Sequence, residues 1–158
     1  MTPEETIQQQ LTDRFDFLKD KVRVARARRI FAETPYENFP PVFDCAVGEL
    51  KFVILCAITG LDEGASLAVL YHLAQEGGVT LTLKTAVPKD KPDIRSVTPR
   101  FPSAETYERE LKDLFGFRVE GLPPGARYPL PDDWPEGQHP LRKEWTTEML
   151  DKAPRQEP

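Results

Sequence analysis

Apolar positions change period several times along the chain. Ile7, Leu11, Phe15 and Leu18 recur at helical spacing behind Thr2, Pro3 and Glu5. Thr-x-x-Glu is a capping box and proline suits the first turn, so a helix is predicted at the start. Over residues 21–31 the period shortens, with Val22 and Val24 alternating with Lys21 and Arg23 before Ile30-Phe31. One strand is predicted there, and Arg26, Arg28 and Arg29 mark it as an edge or exposed strand. Asn38 can cap a second helix, with Pro40 and Pro41 in its first turn and Phe39, Phe43, Val47 and Leu50 as its stripe. Residues 50–59 are apolar on both alternating faces, the pattern of a strand central to the core. Gly60 to Gly64 reads as a hairpin loop, residues 66–74 as the return strand and Gly77-Gly78 as a tight turn. Residues 79–87 then alternate, Val79, Leu81 and Leu83 opposite Thr80, Thr82 and Lys84. Helices flanking an antiparallel meander predict an α+β fold, a sheet of about four strands packed on helices.

Ser103 can cap a third helix running to about Phe115, with Gly116 closing it in a left-handed conformation. Ala104, Tyr107, Leu111, Leu114 and Phe115 share one face, and Arg109 and Asp113 lie opposite, spaced to pair at the surface. Glu108 and Glu110 fall on opposite shoulders of the apolar stripe. They cannot converge on one substrate atom as a general acid and base must. Beyond Gly121, Pro123, Pro124, Pro129, Pro131, Pro135 and Pro140 exclude a regular helix or a central strand. Tyr128, Leu130, Trp134, Leu141 and Trp145 nevertheless interrupt that run, which a solvated linker would not need. The expected division is an α+β domain over residues 1–120 and an extended, proline-rich docking arm and tail over residues 121–158. Trp134 serves either to cover a partner or to fold back on its own domain; its sequence context leaves both open. His139, within the arm, is expected to face solvent, and His72, within a strand, to be structural.

The formal net charge of -5 removes the cationic excess that sequence-independent nucleic-acid binding requires. The longest apolar run, residues 52–58, is far short of a membrane span. The acidic start Met1-Thr2-Pro3-Glu4-Glu5 lacks the features of a signal peptide, so a cytoplasmic protein is expected. Cys45 and Cys56 are expected to be buried and reduced. Two cysteines with His72 and His139 have neither the number nor the spacing for an iron–sulfur cluster or a structural zinc site. No catalytic, cofactor-binding or metal residues are therefore expected in this chain.

The string Glu108-Arg109-Glu110-Leu111-Lys112-Asp113-Leu114-Phe115-Gly116 resembles the signature Glu-Arg-Glu-x-x-Asp-[Leu/Met]-[Phe/Tyr]-Gly. That signature belongs to the 30-kDa subunit of proton-translocating NADH:quinone oxidoreductase (respiratory complex I). The family includes the equivalent subunits of energy-converting membrane-bound nickel–iron hydrogenases. Ser96-Val97-Thr98 precedes the signature in the family's order, and Asp132-Asp133-Trp134 and Pro140-Leu141-Arg142-Lys143-Glu144 follow it. The respiratory subunits continue with Gly-His-Pro-Asp-x-Arg-Arg, whereas this chain reads Gly121-Leu122-Pro123-Pro124-Gly125-Ala126-Arg127. Gly121-Leu122-Pro123 and Leu130 to Glu136 are more similar to the hydrogenase branch, as at the start of the formate hydrogenlyase large subunit. The resemblance implies a subunit without a redox centre or catalysis of its own, peripheral on the cytoplasmic face of the membrane. It would dock on the large subunit that houses the quinone or nickel–iron site, beside iron–sulfur subunits, so those cofactors are expected in its partners. It further implies an interface among Glu108, Arg109, Glu110, Asp113, Phe115, Gly116, Arg127, Asp132, Asp133, Trp134, Pro140, Leu141, Arg142 and Lys143. The alternatives are an independent small α+β enzyme or ligand-binding domain, and an assembly factor that meets such a complex transiently.

Overall fold

A computed structural model describes residues 1–152, and these separate by contact into two units. The first is Met1–Thr59 with Ala68–Ala86, and the second is Gly60–Leu67 with Val87–Pro158. Residues 121–152 of the expected arm thus share a unit with the third helix. Its last six residues, 153–158, lie outside the described residues.

The first unit opens on α1 (Pro3–Arg14), where Thr2 Oγ1 accepts from the Glu5 N–H and the Glu5 carboxylate accepts from the Thr2 N–H. The capping box forms as its spacing predicts. Behind α1 lies a mostly antiparallel five-stranded sheet. Its strands are β1 (Val22–Arg26), β2 (Arg29–Glu33), β3 (Ile54–Asp62), β4 (Ser66–Ala74) and β5 (Thr80–Pro88), in the order β1-β2-β5-β4-β3. The predicted α+β architecture is thereby observed, with one strand more than expected.

Four expectations are corrected. Residues 21–31 form two antiparallel strands where one was predicted, turning through Arg28 at φ 61°. No glycine or asparagine announces the turn, and a left-handed arginine is unfavourable on local grounds. The Glu4 carboxylate of α1 accepts the Arg28 N–H, so a tertiary contact supplies what local sequence lacks. Second, the apolar strand expected at the centre lies at the sheet edge, with Val53 51% and Ile54 48% exposed. Central position falls to β5, because β2 pairs with it in parallel, Ile30 opposite Leu81 and Ala32 opposite Leu83. Third, Cys45 is buried but Cys56, on the edge strand, is exposed; neither forms a disulfide. The loop expected at residues 60–64 is also shorter, since β3 continues to Asp62.

One sheet face holds the core of this unit. Ile30, Leu81, Leu83, Tyr71 and Leu73 are fully buried or nearly so. Phe39 and Phe43 of α2 (Phe39–Asp44) pack their rings 4.8 and 5.8 Å from Tyr71. The chain then widens into a π-helical turn, Cys45–Glu49. Asn38 makes no side-chain cap bond to α2. On the opposite face a polar row crosses three strands. His72 bonds Thr59 Oγ1 through Nε2 and Thr82 Oγ1 through Nδ1, each at 3.0 Å. His72 is therefore a structural histidine, as expected, and burial lowers its pKa below the ordinary value.

In the second unit, β6 (Asp93–Arg95) and β7 (Arg118–Glu120) pair in parallel around α3 (Ala104–Phe115), and α4 (Glu148–Asp151) ends the described chain. Ser103 precedes α3 without a side-chain cap bond, and Gly116 closes it at φ 77°, as predicted. Gly60 lies under α3. A Cβ there would stand 2.6 Å from the Phe115 ring and 2.9 Å from Leu111 Cδ2.

Packing and titration each give a testable outcome. Gly60→Val should lower the melting temperature by an overpacking cost of about 1–3 kcal/mol, because Phe115 and Leu111 are buried. Gly48→Ala, in open space within the π-helical turn, should be neutral or stabilise by up to about 1 kcal/mol; paired thermal melts compare the two. For pH, the folded chain favours neutral His72, so the unfolded chain takes the proton first as pH falls through about 6.5. This contribution is whole above that value and lost below it. Urea titrations between pH 7 and 5 should show stability falling less steeply in His72→Gln than in the parent.

Candidate functional site

The signature residues lie on α3, and most spend their hydrogen bonds inside their own unit. Glu108 is fully buried. Its two carboxylate oxygens accept from Ser96 Oγ and the Val97 N–H, both at 2.6 Å, and Ser96 Oγ also lies 2.6 Å from Thr98 Oγ1. The Ser-Val-Thr segment and the first signature glutamate are one hydrogen-bonded assembly. Burial pushes the Glu108 carboxyl above the ordinary range, opposed by those two donors. With both oxygens engaged and no solvent, Glu108 has no geometry for attacking or protonating a substrate.

Arg109 does not pair with Asp113, contrary to the expected surface pair. Its Nη2 donates to Glu105 Oε1 at 2.7 Å and to the Pro123 carbonyl at 2.5 Å. The guanidinium lies against Gly125, leaving no room for a Cβ. Asp113 is also not outward: it is only 6% exposed, accepting from Arg127 Nε and the Leu130 N–H, each at 3.3 Å. Arg127 continues to the Trp134 carbonyl at 2.8 Å. The helical wheel placed Arg109 and Asp113 opposite the apolar stripe correctly. It could not show that the arm would cover that face.

The arm completes the helix end. The last carbonyls of a helix lack intrahelical donors. Here the Asp113 carbonyl accepts from His139 Nδ1 at 2.9 Å, the Leu114 carbonyl from the Leu141 N–H at 3.0 Å, and the Phe115 carbonyl from Arg142 Nε at 2.6 Å. His139 is thus half-buried and carries its proton on Nδ1, rather than facing solvent as expected. A Cβ on Gly116 would stand 2.5 Å from the His139 ring, so glycine is required there twice over, by φ and by space. Next along the arm, the Lys143 N–H donates to Asp62 Oδ2 at 2.8 Å, and Lys89 Nζ bridges Asp62 and Glu144 at 2.7 and 2.6 Å. Burial alone would raise the Asp62 carboxyl; the bonds from Lys89, Lys143 and Gly64 outweigh it and hold the group well below the ordinary range. The Trp134 and Trp145 rings lie 5.9 Å apart, tilted by 31°, and Gln138 accepts from both indole N–H groups. Trp134 therefore folds back on its own unit.

Phe115 is buried, Glu110 and Pro140 are half-buried, and Asp132, Asp133, Lys143 and Leu141 are exposed. Exposed apolar groups on the arm are Tyr128, Leu141 at 51% and Met149 at 40%. A cleft of about 440 Å³ opens beside α3, lined by Arg109, Lys112, Asp113, Arg127, Glu136 and His139. Sequence reading missed Asp62, Lys89 and Glu105. Each is an ordinary charged residue whose partner lies far along the chain or on a helix face that pattern leaves unassigned. No group of three or more His, Cys, Asp or Glu among the described residues is placed to hold a metal. None of their helices is long and apolar enough to cross a membrane.

Comparison with known proteins matches residues 32–149 to the family described as the respiratory-chain NADH dehydrogenase, 30 Kd subunit. One of the subunits of the F(420)H(2) dehydrogenase of Methanosarcina mazei is 33% identical over 143 residues, covering 89% of this chain and 90% of that protein. Formate hydrogenlyase subunit 5 from Escherichia coli is 42% identical over 95 residues, 57% of this chain; the match spans only 17% of that relative's length. A chain of the membrane-bound sulfane sulfur reductase, an archaeal respiratory membrane complex, superposes with a TM-score of 0.77 at 28% identity. That superposition covers 94% of this chain and 88% of the other. By signature, fold and these matches, the chain belongs to the 30-kDa subunit family of the respiratory-chain NADH dehydrogenase.

Proposed function

We propose that this chain is a bracing subunit of a complex-I-like respiratory or hydrogenase-type membrane complex, without a redox centre of its own. In this reading it docks on the large subunit that carries the quinone or nickel–iron site, beside iron–sulfur subunits, peripheral on the cytoplasmic face of the membrane. The observation that carries it is family membership across most of the chain together with the formate hydrogenlyase relative. There the matched segment is a small part of one long polypeptide, so in that relative it is covalently held beside a much larger remainder.

The donor chemistry agrees. The signature carboxylates and guanidinia are consumed in fixing α3 to its arm, as scaffolding requires and as acid–base catalysis does not. Of the residues implied as interface, Glu108, Asp113, Gly116 and Arg142 build the surface from within. The exposed members, Leu141, Asp132, Asp133 and Lys143, are the ones free to meet a partner, with Met149 close by in sequence.

The test is co-purification with the tagged large subunit from the host membrane. Leu141→Asp combined with Met149→Asp should leave the circular dichroism and melting of the isolated chain nearly unchanged. It should deplete the chain from the complex, since each well-placed interface side chain carries about 2 kcal/mol or more. Full retention of a folded double variant would place the interface elsewhere; failure of the parent chain to co-purify would favour an independent enzyme or a transient assembly factor. Elemental analysis and absorption spectra of the isolated chain should show no stoichiometric iron, nickel, zinc or flavin. About one metal per chain would overturn the cofactor-free reading.

A further inference from the structure

β3 is patterned as a central strand, yet it lies at an edge. From Phe52 to Leu61 the chain carries no charge and no proline, and Thr59 is its one polar side chain. Such a run belongs where apolar neighbours cover a strand. In the sheet β3 pairs only with β4, and among the described residues no strand lies along its other side. Val53, Ile54 and Leu61 are left about half exposed. An unpaired edge offers its row of backbone N–H and C=O groups to any extended chain, so soluble proteins guard it with shortness, charge or a bulge. The opposite edge of this sheet has all three. β1 is five residues long, carries Arg23 and Arg26, and shifts register between Val24 and Arg26. β3 runs for nine residues and reaches its first charge only at buried Asp62, its last residue.

A row of backbone donors and acceptors is matched by a row at the same spacing, so the complement of this edge is another extended chain. The apolar character of β3 calls for uncharged side chains on that chain, because a charge laid against it would lose its water without gaining a partner. A second copy is one source of such a strand. Edge-to-edge contact about 30 Å long and about 10 Å deep would cover only roughly 300 Å² on each copy. A stable interface covers about 800 Å² on each side. A strand from a protein already seated elsewhere on the chain needs no such area, because its second contact forms within one complex.

We infer that the open edge of β3 is a docking site for an extended, uncharged strand of a partner protein. That strand joins the sheet beyond β3 and gives β3 the central position its sequence suits. The main-chain ladder supplies the affinity, and the apolar faces on either side exclude charged strands. This rests on the reading of the chain as a docking subunit and adds the kind of segment that docks.

The probe is a peptide of alternating valine and threonine with a solubilising lysine at each end, titrated into the isotope-labelled full chain and followed by amide chemical shifts. The same peptide with every amide N-methylated keeps the side chains and loses the donors. The expected shifts centre on residues 54–61, with slowed amide exchange there, and N-methylation weakens binding about tenfold or more. Ile54→Lys with Leu61→Lys gives β3 the charges that guard β1 and should weaken binding about tenfold. Ile54→Thr with Leu61→Thr should preserve it, since the ladder remains. Circular dichroism checks folding; if the lysine pair unfolds, the N-methylated peptide decides. The inference fails if shifts are absent, if they gather on β1, or if the N-methylated peptide binds equally, which would make the edge an apolar patch only. It also fails if the chain sediments as a dimer that the lysine pair dissociates, because a second copy then holds the edge. In the host membrane, the lysine pair should be lost from the complex while the parent is retained. Retention of both overturns the edge and leaves docking intact. If the parent itself is not retained, the docking reading fails and the peptide titration alone decides the edge.

Discussion

The end of α3 is the constraint on which the second unit depends. A helix that stops inside a protein leaves carbonyls without donors, and burying them unpaired would cost about 1–3 kcal/mol each. Here the donors arrive from His139, Leu141 and Arg142, more than twenty residues later in the chain. Beyond β7, prolines from Pro123 to Pro135 exclude helix and regular strand, so that stretch is free to follow the surface of α3 and deliver those donors in order. Gly116 makes this possible, since any side chain there would meet His139.

Around that helix end the separated motifs of the family form one physical object. Glu108 holds the Ser-Val-Thr segment ahead of the helix, Arg109 holds the Pro123 carbonyl just after it, and Asp113 holds Arg127 and Leu130. Pro-Leu-Arg-Lys then closes over the helix end and reaches Asp62 at the β3–β4 turn. A motif of buried, mutually satisfied polar groups specifies a conformation with little tolerance for substitution. That explains a strict signature without asking its residues to perform chemistry.

The first unit works by different means. Its five strands are ordered by apolar burial, with an aromatic cluster of Phe39, Phe43 and Tyr71 on one face and the Thr59–His72–Thr82 row on the other. The polar row satisfies both nitrogens of a partly buried imidazole without a charge. Burial alone would make an unpaired ring costly; two hydroxyls that can each donate or accept remove that cost.

By itself the sequence determined the elements whose causes are local. The capping box of α1, the meander of β3 to β5, the amphipathic α3 and its glycine stop rest on period, capping chemistry and φ, which a few neighbouring residues decide. The family signature was legible for the same reason, being a contiguous string. Tertiary structure alone decided the rest. The β1–β2 turn at Arg28 depends on Glu4, the edge position of β3 on parallel pairing of β2 with β5, and the burial of Asp113 on an arm that arrives from residues 127–130. A helical wheel shows which residues share a face, but not what will cover it. Charged residues in particular look alike along the chain, whether solvated or paired with a group dozens of residues away, because their partners are chosen by the fold.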